Sequence, residues 1–103
     1  MNSPFVLTPR AEQDLDEIWE YIAADNITAA DRVLDKIEET FDKLALSPGI
    51  GHYREDLADK RHRFHLVFSY LIVYRWEMKP LQIIRILHAA RDVQAILGPG
   101  TDG

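Results

Sequence analysis

Two apolar, β-rich runs, residues 70–76 and 81–88, are separated only by Glu77, Met78, Lys79 and Pro80, a spacing that suits a short hairpin connection. No other part of the chain holds apolar runs dense enough to form the centre of a fold. In the first strand Tyr70, Ile72 and Tyr74 share one face, and Leu71, Val73 and Arg75 the other. In the second, Gln82, Ile84, Ile86 and His88 alternate with Leu81, Ile83, Arg85 and Leu87. Both faces are largely apolar, so these strands are expected to be central and covered on each side.

The material upstream is suited to that covering role. Phe5, Val6 and Leu7 form one short strand, and Thr8 followed by Pro9 reads as a helix start. Ala11, Leu15, Ile18, Trp19 and Ile22 then fall on one helical face. Glu12, Asp14, Asp16, Glu17 and Glu20 are expected on the opposite, solvated face, with none in the apolar setting that a catalytic carboxylate pair requires. Thr28 and Asp31 resemble a capping box for a second helix. Ala30, Val33, Leu34, Ile37, Phe41, Leu44 and Ala45 carry its apolar face until Ser47, Pro48 and Gly49 stop it. Trp19 and Phe41 are expected in the core.

Residues 48–54 are rich in turn formers but have neither a Gly-Lys-Ser/Thr end nor a G-x-G-x-x-G pattern, so they are expected to be a loop into the sheet rather than a phosphate cradle. Residues 60–66 read as a strand. His62 and His65 stand three apart on it and point to opposite faces, which excludes a chelating pair. Ala90, Val93, Ile96 and Leu97 repeat at helical spacing, so a short third helix is expected, followed by a flexible tail over 98–103. If that helix does not cover the second sheet face, a partner chain is expected there.

At 103 residues the chain is a single domain, with no cysteine for disulfides or thiolate chemistry. No apolar run approaches the roughly 20 residues needed to span a bilayer, and the N-terminus has no secretory pattern, so a cytoplasmic location is expected. The net charge of −5 divides into −8 over residues 1–42 and +3 over residues 43–103. That balance disfavours indiscriminate nucleic-acid binding while leaving a local basic face available.

The order strand, helix, helix, three strands carries four separated motifs: residues 14–23 (DLDEIWEYIA), the P-x-x-G-x-x-R of Pro48, Gly51 and Arg54, residues 70–75 (YLIVYR) and residues 83–92 (IIRILHAARD). Together they resemble the RelE/ParE toxin superfamily, and its ParE branch in particular, over residues 5–97. The resemblance implies an α+β domain in which one antiparallel sheet packs on a helical hairpin. It also implies a toxin of a type II toxin–antitoxin pair, neutralised by an antitoxin whose C-terminal segment wraps it.

For the ParE branch the implied action is inhibition of DNA gyrase without chemistry or cofactor of the toxin's own, with Arg75, Arg85 and Arg91 as target-contact candidates. For Arg91 an ion pair or helix cap with Asp92 is the plainer role. For the RelE branch the implied action is metal-independent cleavage of ribosome-bound mRNA. That reaction needs a base, an acid and convergent cations, for which Arg61, Arg63, Arg85 and His88 are the available set. The absence of a tyrosine after Tyr74 and the acidic composition depart from the nuclease pattern, and His88 has the alternative role of a hydrogen-bonded strand-end residue. A third reading is a non-toxic domain that only sequesters antitoxin.

Overall fold

A computed structural model describes residues 4–51 and 61–90. A strand β1 (Phe5–Leu7) leads into two helices, α1 (Pro9–Ala23) and α2 (Ile27–Leu46). A 3-10 turn at Pro48–Ile50 follows, then three strands β2 (His62–Val67), β3 (Tyr70–Arg75) and β4 (Leu81–His88). They form one sheet in the order β1-β4-β3-β2, antiparallel throughout except that β1 runs parallel to β4. This is the expected α+β arrangement of an N-terminal strand, a helical hairpin and an antiparallel triplet. Apart from Ala90, the third helix expected over 90–97 and the tail lie outside the described residues, as do Arg54 and Arg91.

The helices form where their caps and apolar stripes dictate. The Thr8 hydroxyl accepts from the Ala11 N–H at 3.0 Å, and Pro9 occupies the first helical position, where a missing N–H costs nothing. Ala11, Leu15 and Ile18 from α1 meet Ile37, Phe41 and Leu44 from α2 over Tyr70, Ile72 and Tyr74 of β3. Phe5 locks β1 onto this core through an edge-to-face contact with Phe41, with ring centroids 5.2 Å apart. Each fully buried Ile, Leu or Phe here contributes about 1.5–3 kcal/mol, so the hairpin is held by its apolar stripe more than by helix propensity.

Two local expectations are corrected. Asn26, not Thr28, caps α2, its side chain accepting from the Ala29 N–H at 2.9 Å. The chain leaves α1 in an extended conformation only at Asn26, so Thr28 is already helical. Asp31 instead accepts from the Trp19 indole at 2.8 Å. Trp19 is therefore a half-exposed tie between the helices rather than a core residue.

The second sheet face carries its own cluster, Phe64, Leu71, Val73 and Leu87, with Ile84 and Ala89 packed against it. Strict alternation in β4 is broken between the pairs Tyr74↔Ile83 and Val73↔Arg85, where Ile84 is an extra residue opposite β3. This β-bulge shifts the pattern. Leu81 and Ile83 face the helices as one alternating set, and Ile86 then joins them from the other set.

The bulge lies just where β1 runs out, and the start of α1 satisfies β4 in its place. The Thr8 N–H donates to Ile83 O at 3.1 Å, its hydroxyl donates to Ile84 O at 2.8 Å, and the Ile86 N–H donates to Asp14 Oδ2 at 3.0 Å. Thr8 is thus both a helix cap and a strand partner. Thr8→Val is expected to cost about 2 kcal/mol, the upper end for a lost cap, because it strands a sheet carbonyl as well. Thr8→Ser should cost much less. The urea midpoint at unchanged m-value measures both.

Candidate functional site

The cations available for contact or catalysis are distributed along the sheet, and each is fixed by different local structure. At the β3–β4 hairpin end, Arg63 of β2 stacks its guanidinium over Trp76, 4.7 Å from the ring centroid. Its Nη1 donates to the carbonyls of Gly51 at 2.9 Å and Gly49 at 3.3 Å. Beneath it Tyr74, fully buried, donates its hydroxyl to Pro48 O at 2.6 Å and accepts from the Gly51 N–H at 3.0 Å. Burial pushes this hydroxyl above its ordinary pKa of 10.0, against smaller downward pulls from the Gly51 N–H and the Arg63 charge. Pro48 and Gly51 therefore act as a clamp that seats the end of α2 on the sheet.

Arg75 is opposite His62 across the β2–β3 ladder, half-buried, and its Nε is buried with no hydrogen-bond partner among the described residues. The neighbouring Trp76 Nε1 is in the same condition. Arg61 is exposed immediately before β2.

Midway along β4, Arg85 turns to α1. Its Nε and Nη2 donate to the two carboxylate oxygens of Asp14 at 2.8 and 3.2 Å. Asp14 is only 4% exposed. This corrects the assignment of Asp14 to the solvated face: it lies three residues after Ala11 and four before Ile18, on the buried stripe, where the bulge supplies both a cation and a backbone N–H. Arg10 approaches the same carboxylate at 3.8 Å from the surface.

At the far end of the sheet His88 pairs with Tyr70, their rings edge-to-face with centroids 5.6 Å apart. The two rings, with Asp14, Glu17, Ile18 and Tyr21, line a cleft of about 220 Å³ between α1 and β4. On the outer side of the helical hairpin, Leu15, Trp19 and Leu34 floor a second groove of about 370 Å³, rimmed by Glu12, Asp16 and Glu38.

The set Arg61, Arg63, Arg85 and His88 does not converge. Arg63 stands opposite Tyr74 and His88 opposite Tyr70. Four residues of strand separate those levels, about 13 Å at 3.3 Å per residue. Between them the Arg85 guanidinium is turned onto Asp14. Among the described residues no three His, Cys, Asp or Glu side chains are grouped to hold a metal ion, and no helix is long and apolar enough to cross a membrane.

Two residues that organise this surface escaped sequence reasoning, Asp14 and Tyr74. A lone acid in the apolar stripe 11-15-18-22 and a lone cation in the apolar strand LQIIRILH are the sequence signal for the first.

Comparison with known proteins places these features. The family model of the ParE toxin of the type II toxin–antitoxin system parDE matches residues 5–93. Toxin ParE1 of Caulobacter vibrioides is 31% identical over 98 residues, covering 92% of this chain and 98% of that protein. Toxin ParE3 of the same organism is 30% identical over 89 residues, covering 85% and 88%. A solved chain from the chromosomal ParDE TA system of P. aeruginosa has the same fold, with a TM-score of 0.68 at 24% identity over 82% of this chain and 92% of that one.

Proposed function

Because the chain belongs to the ParE toxin family and is the toxin of a type II toxin–antitoxin pair, we propose that it binds DNA gyrase and stalls the enzyme while DNA is cleaved. Support comes from the match to ParE over residues 5–93, which spans every described element. Such an inhibitor performs no chemistry of its own, works in the cytoplasm where the DNA is, and is neutralised by a cognate antitoxin. We assign the antitoxin's C-terminal segment to the grooves flanking the helical hairpin. Their apolar floors and acidic rims suit a segment that folds on binding and presents apolar and basic side chains.

Of the target-contact candidates, Arg85 has its charge committed to Asp14, whereas Arg75 is only half-buried at the end of β3 and has no carboxylate partner among the described residues. Arg75 is therefore assigned the target contact, and Arg91 lies beyond the described residues. The spacing of Arg63 and His88 among the described residues favours the inhibitor reading over mRNA cleavage.

Purified toxin should abolish gyrase supercoiling of relaxed plasmid and trap linear DNA. Unchanged supercoiling at large toxin excess would overturn the reading. Arg75→Ala should raise the half-inhibitory toxin concentration about tenfold, the scale of an arginine anchor, without shifting the melting temperature. Growth arrest on expression without antitoxin rejects the purely sequestering role.

A further inference from the structure

Two grooves on the helical hairpin share a wall. The first, of about 370 Å³, has Leu15, Trp19 and Leu34 as its floor, and Glu38 stands on its rim. The second, of about 520 Å³, lies between α2 and β1, where Phe5 and Leu7 floor it beside the buried Phe41. Glu38 lines this groove too, together with Asp35, Glu39 and Asp42. The grooves therefore meet across α2 at one residue. From Leu34 to Asp42 the helix rises about 12 Å at 1.5 Å per residue, a span that four residues of extended chain can reach.

The carboxylates along this track are largely uncompensated. Lys36 approaches Glu39 at 3.4 Å, but Glu12, Asp16, Asp35, Glu38 and Asp42 have no ion pair or side-chain hydrogen bond among the described residues. Glu12 with Asp16, Asp35 with Glu39, and Glu38 with Asp42 are like charges four residues apart, each pair mildly destabilising its helix. A positively charged ligand removes that repulsion, and only one that is also apolar covers Trp19, Leu34 and Leu7. The same field disfavours a polyanion, or a second copy of a chain whose net charge is −5.

The partner that family membership supplies is an antitoxin. We propose that a single antitoxin segment runs through both grooves and crosses α2 at Glu38, with an arginine or lysine set on that carboxylate. The inference rests on the assignment of the antitoxin to these grooves and is independent of the gyrase reading. Capture is then steered by charge: the acidic track speeds association, and Glu38 selects a basic residue at the crossing.

The test measures binding of the full toxin chain to the full-length antitoxin encoded with it, by calorimetry and stopped-flow mixing at about 0.05 M and about 0.5 M NaCl. Glu38→Lys should weaken binding about tenfold or more at low salt, mostly through slower association, and the deficit should shrink at high salt. Its melting temperature should not fall, because Glu38 is exposed and the change relieves the pair with Asp42. Glu77→Lys makes the same change of net charge in the β3–β4 turn, outside both grooves, and should bind as wild type does. Undiminished affinity for Glu38→Lys, an equal loss for Glu77→Lys, or a deficit that high salt leaves unchanged overturns the crossing. Combining Asp35→Asn with Asp42→Asn should also weaken binding, and no effect there would confine the segment to the first groove and overturn the single track. Trp19→Ala separates the crossing from the groove assignment itself. If it weakens antitoxin binding while Glu38→Lys does not, the groove stands and the crossing falls; if neither change matters, both fall.

Discussion

Asp14→Ala is expected to destabilise the protein by about 3–5 kcal/mol, the cost of leaving one member of a buried ion pair behind. The side chains of Asp14 and Arg85 are 5% and 15% exposed, so water replaces little of the lost interaction. The carboxylate also accepts from the Ile86 N–H, and removing it strands a sheet donor on the side of β4 that β1 no longer covers. For a domain of this size the loss lowers the melting temperature on the order of 15 °C. It is a large part of the 5–15 kcal/mol that typically holds a domain together. Asp14→Asn should fall between, keeping an acceptor for Ile86 but not the charge. Combining Asp14→Leu with Arg85→Met should recover much of the stability, since the desolvation of two charges disappears with their attraction. A double-mutant cycle by urea unfolding reads the coupling, and a melting temperature for Asp14→Ala within about 2 °C of wild type would discard this account of the bulge.

That pair also marks where the sequence was and was not legible. The hairpin over residues 70–88, the helix start at Thr8 and the two apolar helical stripes followed from period and cap chemistry, because each depends on neighbours a few residues away. The Asp14–Arg85 contact joins residues 71 apart, and it exists only because β4 holds one more residue than β3 at Ile84. Alternation predicts faces only while a strand stays regular, so a bulge is invisible to it, and the faces of Ile86 and Leu87 relative to Ile83 went astray with it. The same limit hid the difference between the two strand arginines. Arg75 and Arg85 look equivalent as single cations in apolar strands, yet Arg85 is turned onto a buried carboxylate and the Arg75 Nε has no acceptor among the described residues. The positive φ of Phe68 carried no sequence signal either, since only the two-residue turn between Val67 and Tyr70 imposes it.

Gly51→Ala is the second change expected to be severe, at about 3 kcal/mol, and the reason is space rather than backbone freedom. Gly51 has φ −75° and ψ 175°, an extended conformation any residue adopts. A Cβ there would overlap the Tyr74 hydroxyl oxygen and come within 2.9 Å of two ring carbons. Tyr74 cannot yield, because it is fully buried and its hydroxyl is held by Pro48 O and the Gly51 N–H. The alanine therefore imposes overpacking and threatens both hydrogen bonds. Tyr74→Phe alone should cost about 1–3 kcal/mol by stranding the Pro48 carbonyl and the Gly51 N–H. In that background Gly51→Ala should cost less than in wild type, since the worst overlap is gone, and purely additive losses would refute the close approach as the cause. The same hydroxyl gives the clamp a pH signature. Its folded pKa is raised by burial, so its contribution is complete below the unfolded value near 10.0 and is lost as pH rises through the higher folded value. Wild-type stability should therefore fall above about pH 10, and Tyr74→Phe should flatten that decline. A variant whose alkaline limb matches wild type would show that the clamp's proton does not hold α2 on the sheet.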